Sequence, residues 1–259
     1  MGALNGPVLT FSGVPGIGLV EAGQDVARLI LDALVAGEGQ LETGDVVVIA
    51  QKIVSKAEGR VVVLDDVRPS SAARALAEEI DKDPRLVELI LQESRRVVAK
   101  RPGVLIVEHN LGFVMANAGI DQSNATPMGA APQAILLPKA PDESAARIRD
   151  TLRTAAGVEV GVIISDSFGR AWRRGTVGVA IGAAGVPAMC DLRGEPDLFG
   201  RALEVSITGF ADEVAAGASL VMGQGGEGLP VVIARGLNLD HPHQAATEIV
   251  RPAEEDLFR

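Results

Sequence analysis

Residues able to do chemistry concentrate just past a buried apolar run. Val160-Gly161-Val162-Ile163-Ile164 reads as a strand that stops at Ser165-Asp166-Ser167 and delivers polar side chains at its end. Arg170, Arg173 and Arg174 then surround Trp172, the single tryptophan, and the glycine-spaced segment Gly175 to Gly185 follows. An aspartate, a hydroxyl, guanidinium forks and bare backbone can supply metal ligands, counter-charges and amide donors to a phosphorylated substrate. The same stretch also reads as an ordinary strand, turn and surface arginine cluster.

Other segments carry matching chemistry. Lys52 and Lys56, four residues apart just after the apolar run Val46 to Ala50, can share a helical face or flank a phosphate chain; as plain lysines they would be solvated. Gly112 to Asn124 moves from apolar residues to Asp121 and Asn124, which suits a metal carboxylate beside a base- or phosphate-contacting amide, or simply a turn. Gly13-Val14-Pro15-Gly16-Ile17-Gly18 can approach a ligand through its backbone or act as a connector, and it lacks the Gly-Lys-Ser/Thr ending of a P-loop. Val221 to Pro230 is a glycine-dense loop that can wrap a nucleotide or form a surface hairpin. His241 and His243 are metal-ligand candidates or exposed tail residues. Cys190, the only cysteine, has no histidine nearby and reads as a packed thiol.

These residues need a scaffold, and the pattern predicts a mixed α/β fold. Strands are expected at Val8 to Phe11, Val46 to Ala50, Val104 to Val107, Ile135 to Leu137, Val160 to Ile164 and Glu204 to Thr208. Helices are expected from Asp25 to Gly37, Ser70 to Ile80, Leu86 to Ser94 with Pro84 at the start, Asp142 to Ala156 with an N-cap, and Ala211 to Leu220. Pro127 to Pro132 reads as a loop, and Pro252 to Arg259 as a fraying tail. The 259 residues allow one large unit of two lobes, with an aliphatic core because aromatics are only 3%. A net charge of −10 argues against a general nucleic-acid binder, so a polyanionic ligand needs a local cationic pocket and divalent metal. No apolar run approaches the roughly 20 residues that cross a bilayer, no signal-like segment opens the chain, and a cytoplasmic protein is expected.

Together, IVSKAEGR (Ile53 to Arg60), GFVMANAGIDQSN (Gly112 to Asn124), ISDSFGRAWRRGTVGVAIGAAG (Ile164 to Gly185) and VMGQGGEGLPVVIARG (Val221 to Gly236) resemble the coenzyme F420-0:L-glutamate ligases, or CofE-like proteins. The blocks fall in the family's order over nearly the whole chain. The resemblance implies a two-lobed, intertwined homodimer and a GTP-dependent, GDP-forming ligase that adds L-glutamate, then further gamma-linked glutamate, to F420-0 through an acyl phosphate. It implies two divalent ions, Mn²⁺ or Mg²⁺, and K⁺ as a monovalent activator. Asp121 and Asp166 would bind one metal, and Ser167 and Gln224 a second, with Ser167 standing where a threonine is often found. The nucleotide would touch Ile17, Gly18, Leu19, Val20, Gln51, Lys56, Asn124 and the loop Met222, Gly223, Gln224, Gly225, Gly226, Glu227, Gly228, Leu229. Lys56, Arg170 and Arg173 are the candidates for stabilising transition-state charge or binding substrate phosphate. The chain stops soon after Arg235-Gly236, so the free-standing form is expected, without the nitroreductase-like domain fused in some relatives. A metal-dependent phosphoryl-transfer enzyme for another acid and a nucleotide-binding regulatory module are the rival readings.

Overall fold

A computed structural model describes residues 6–126 and 129–257 of the chain. The first half runs β1 (Thr10–Gly13), α1 (Val26–Ala36), β2 (Val46–Ala50), α2 (Gln51–Ala57), β3 (Val61–Val63), α3 (Ser71–Ile80), α4 (Pro84–Gln92), β4 (Ser94–Arg101), β5 (Val104–His109) and β6 (Val114–Ala116). The second runs β7 (Gln133–Ile135), α5 (Pro141–Ala156), β8 (Gly161–Gly169), β9 (Thr176–Ala184), β10 (Cys190–Asp191), β11 (Ile207–Thr208), α6 (Phe210–Met222) and β12 (Val231–Arg235). The mixed α/β architecture expected from the sequence is the one observed.

The main sheet has the order β1-β12-β2-β8-β9. Only β2 and β8 pair in parallel, in a register that sets Val46 beside Gly161 and Ala50 beside Ser165. Val46 to Ile49 are all fully buried because both faces of the sheet are covered. Val47, Ile49, Val162 and Ile164 pack with Ile30 of α1 and Leu152 of α5, while Val46, Val48 and Ile163 pack with Ala211 and Ala215 of α6. Each such aliphatic side chain contributes about 1.5–3 kcal/mol. This packing fixes the strand pair, and its carboxyl ends therefore emerge side by side.

A smaller assembly packs α3 and α4 through Ala77, Ile80, Val87 and Ile90 onto Leu105 and Val107 of the sheet β4-β5-β6. After β6 the chain turns through Asn117 and Ala118, both at a φ of +54°, and reaches Asp121. An isolated bridge to Ile135 pins that aspartate, with backbone bonds of 3.0 and 2.8 Å.

Several expectations are corrected. The strand through Val160 to Ile164 does not stop at Ser165; a register shift between Ile164 and Ser165 lets β8 continue to Gly169, paired with β9. The glycine-spaced segment is β9 itself rather than a free amide loop. Its Gly178 lies against the carbonyl of Ala215, where a Cβ would collide with α6. Asp142 does not cap α5, which starts at Pro141 with no side-chain cap. Its carboxylate instead accepts 2.8 Å bonds from the amides of Ala183 and Ala246, tying β9 to the C-terminal segment.

The strand expected over Glu204 to Thr208 shrinks to Ile207–Thr208, the two residues that pair with Cys190–Asp191. The N-terminal strand falls at Thr10–Gly13 and the one before Pro138 at Gln133–Ile135, and β3, β4, β6, β10 and β12 lie outside the expected strands. The loop expected at Pro127 to Pro132 lies partly outside the described residues, as does the end of the C-terminal tail. No described helix is long and apolar enough to cross a membrane.

Candidate active site

The paired ends of β2 and β8 open into a cavity of about 510 Å³. From β2 and α2 come Gln51, Lys52, Ile53 and Lys56; from β8 come Ser165, Asp166 and Ser167. The segment Ile17 to Val20 forms an apolar wall, and the loop after α6, from Met222 to Gly226 with Gly228 and Leu229, forms another side. Gly223 ends α6 at a φ of +70°, and a Cβ there would strike the Glu227 carboxylate.

Two carboxyls dominate the electrostatics. Asp166 is pushed up to about 6 chiefly by loss of hydration, although part of the residue reaches the surface; the charge of Asp121 adds to the rise, and its own backbone partner, Lys52 and Gln51 work against it. Burial also raises Asp121, but Lys52 and Ser123 outweigh it and hold that carboxyl below its ordinary range. Lys52 Nζ stands 2.7 Å from Asp121 Oδ2 and donates to Ser123 Oγ at 2.6 Å. Desolvation, then the neighbouring Lys52, lowers Lys56, whose Nζ donates to the carbonyl of Asn124 at 2.9 Å. Lysine Nζ bonds to Asp121, Ser123 and the Asn124 carbonyl thus hold the acidic segment over α2.

On the far side Ser167 Oγ donates to Gln224 Oε1 at 2.8 Å, joining β8 to the glycine-dense loop. Asn124, at a φ of +54°, reaches the carbonyl of Gly225 at 3.5 Å. Among the expected site residues, Ile17, Gly18, Leu19, Val20, Gln51, Lys56, Asn124, Asp166, Ser167, Met222, Gly223, Gln224, Gly225, Gly226, Gly228 and Leu229 line this one cavity. Asp121 borders it through Lys52.

Besides Asp121, three expected residues do not line it. Glu227 folds back to accept from the Gly225 amide at 2.8 Å, so it holds the loop rather than facing the cavity. Arg170 and Arg173 sit in the turn joining β8 to β9, beyond the wall formed by Ser167 and Gly178; Arg173 is exposed, and Arg170 is part-buried with an Nη1 that lacks a hydrogen-bond partner. Lys52 is the residue whose geometry sequence reasoning undervalued. Its spacing from Lys56 was visible, but its acidic partner lies far along the chain. Cys190 is buried, as expected.

The donor set fits hard divalent cations. Asp121 and Asp166 are carboxylates close enough to perturb each other, and Ser167 and Gln224 offer neutral oxygens. Among the described residues no group of three or more His, Cys, Asp or Glu comes together as a metal cluster, so His241 and His243 form no such centre.

Fold and cavity together define a mixed α/β protein in which a carboxylate at the end of a parallel strand pair, lysines of α2 and a glycine-rich loop face one cavity. Comparison with known proteins is more specific. The family model for F420-0:Gamma-glutamyl ligase matches residues 16–236, and the chain belongs to that family. It is 47% identical over 253 residues to coenzyme F420:L-glutamate ligase of Methanothermobacter thermautotrophicus, covering 97% of this chain and 99% of that protein. Identity to the protein of the same name in Methanopyrus kandleri is 46% over 264 residues, spanning both chains entirely. For that of Archaeoglobus fulgidus it is 43% over 246 residues, 95% of this chain and 94% of the relative.

Proposed function

We propose that this chain ligates L-glutamate to F420-0 in coenzyme F420 biosynthesis, using GTP and passing through an acyl phosphate. The carrying observation is the convergence of Asp166, Ser167, Lys56, Gln51, Asn124 and the Met222 to Leu229 loop on one cavity, in a member of this ligase family. A carboxylate in water needs a better leaving group before an amine can displace it. Transfer of the GTP γ-phosphoryl group to the terminal carboxylate of F420-0 releases GDP and makes the acyl phosphate. The glutamate amine then attacks the acyl carbon, phosphate leaves, and one proton is lost from the amine.

Each side chain has a role in this reading. The glycine-rich loop and Ile17 to Val20 hold the nucleotide, and Lys56 neutralises phosphate charge that grows during transfer. Asp121 and Asp166, with Ser167 and Gln224, would hold two Mn²⁺ or Mg²⁺ ions. Held by these residues, such ions would supply charge neutralisation to the phosphate oxygens. K⁺ belongs to the same reading as a monovalent activator. Arg170 and Arg173, carried on the turn past Ser167, are assigned to the anionic groups of F420-0 or glutamate. A homodimer is part of the proposal, supported by the exposure of Trp172, Leu198, Phe199 and Val205 in the segments between strands.

Mass spectrometry of F420-0 incubated with L-glutamate, GTP and Mn²⁺ tests it. Products heavier by one or more glutamyl units, appearing only with metal and nucleotide together, are expected. GTP binding with no GDP formed in the complete mixture would favour a regulatory module. GDP release with a different acid would favour another acceptor.

A further inference from the structure

Gln51 is 2% exposed, yet it borders the cavity, and its Nε2 is buried with no hydrogen-bond partner. Its other end is fixed. Oε1 accepts a 2.8 Å hydrogen bond from the hydroxyl of Ser55, one turn further along α2 and fully buried. A carboxamide presents a donor on one side and an acceptor on the other, and a flip exchanges them. With the Ser55 hydroxyl donating to Oε1, the NH₂ group is the end left without a partner at the cavity's edge.

The strand register says what it is turned toward. Ala50 pairs with Ser165 across the parallel pair, so Gln51, the first residue of α2, and Asp166 of β8 are the next residues out. Gln51 stands near enough to the Asp166 carboxyl to favour its ionised form, although the approach does not make a good hydrogen bond. The flipped carboxamide would set Oε1 against the carboxylate oxygens. Serine in a helix ordinarily bonds the carbonyl four residues back; here it reaches the side chain of that same residue.

We propose that Ser55 is a positioning residue: its hydroxyl fixes which way the Gln51 carboxamide faces, and the Gln51 NH₂ in turn orients the Asp166 carboxylate for a cation. This rests on the reading of Asp166 as a metal ligand. Residues that orient a metal ligand from behind govern affinity without touching the metal.

The test is titration of Mn²⁺, in the presence of GTP, into the full chain and its variants, followed by calorimetry. Ser55→Ala weakens Mn²⁺ binding by about tenfold, and Gln51→Ala by a similar factor. Ser55→Ala/Gln51→Ala binds no more weakly than Gln51→Ala alone, because the hydroxyl acts only through the carboxamide. Ser55→Cys, close to serine in size and a weak donor, falls between wild type and Ser55→Ala, which separates orientation from packing. Unchanged affinity in Ser55→Ala, or penalties that multiply in the double variant, overturns the inference while leaving the metal reading intact. A wild-type protein that takes up no Mn²⁺ overturns that reading and the inference with it.

Discussion

Two aspartates stand at opposite ends of the same parallel strand pair, and their surroundings differ. Asp45, just before β2, is fully buried; its carboxylate accepts from Arg235 Nε at 2.7 Å, Arg235 Nη2 at 2.8 Å and the Glu42 amide at 2.8 Å. Asp166, past the other end, has no salt bridge among the described residues, borders a second carboxylate and is held up near 6. A charge closed by a guanidinium fork and an amide stabilises a fold. A charge left open beside another of the same sign is suited to a cation that arrives later.

The sharpest way to break the contrast is to open the closed end. Asp45→Ala leaves Arg235 without its main buried partner and should cost about 3–5 kcal/mol in urea unfolding, with activity per folded molecule retained. Asp166→Asn should do the converse, lowering ligation about a hundred- to a thousandfold while the unfolding midpoint stays at or above the wild-type value. Lys52→Met removes a charge-assisted bond from Asp121 and should reduce kcat/KM about tenfold, with the fold intact by circular dichroism. The smallest effect is on pH dependence. Because the folded pKa of Asp166 lies near 6 against an ordinary 3.8, the folded state binds more protons between those values. Its contribution to stability is thus present below about pH 4 and lost as pH rises through 6. Melting curves of the metal-free protein should decline over that window, and Asp166→Asn should flatten the decline.

The sequence disclosed the strands that carry the site more clearly than the contacts that complete it. Val46 to Ala50 was readable because a run buried on both faces must be continuously aliphatic. Its partner was half readable: Val160 to Ile164 was evident, but the continuation to Gly169 depends on pairing with β9, a long-range contact that periodicity does not report. β4, Ser-Arg-Arg-Val-Val-Ala-Lys-Arg, was missed because its charges mask an exposed edge strand. The glycines of β9 suggested ligand-binding amides, whereas Gly178 also admits a helix backbone. Most cavity residues followed from the family blocks. Lys52 on Asp121 and Ser55 behind Gln51 needed coordinates, since nothing in local spacing shows which side chain a hydroxyl or ammonium will meet.

The open end of the strand pair is most directly examined by Mn²⁺ and GTP titration of wild type beside an Asp121→Asn/Asp166→Asn variant, with Asp45→Asn as the closed-end control. Metal-dependent nucleotide binding is expected in wild type and in the folded fraction of the control, and should be lost from the double variant. Equal binding in all three would contradict the account, because the two carboxylates would then play no part in holding the cation.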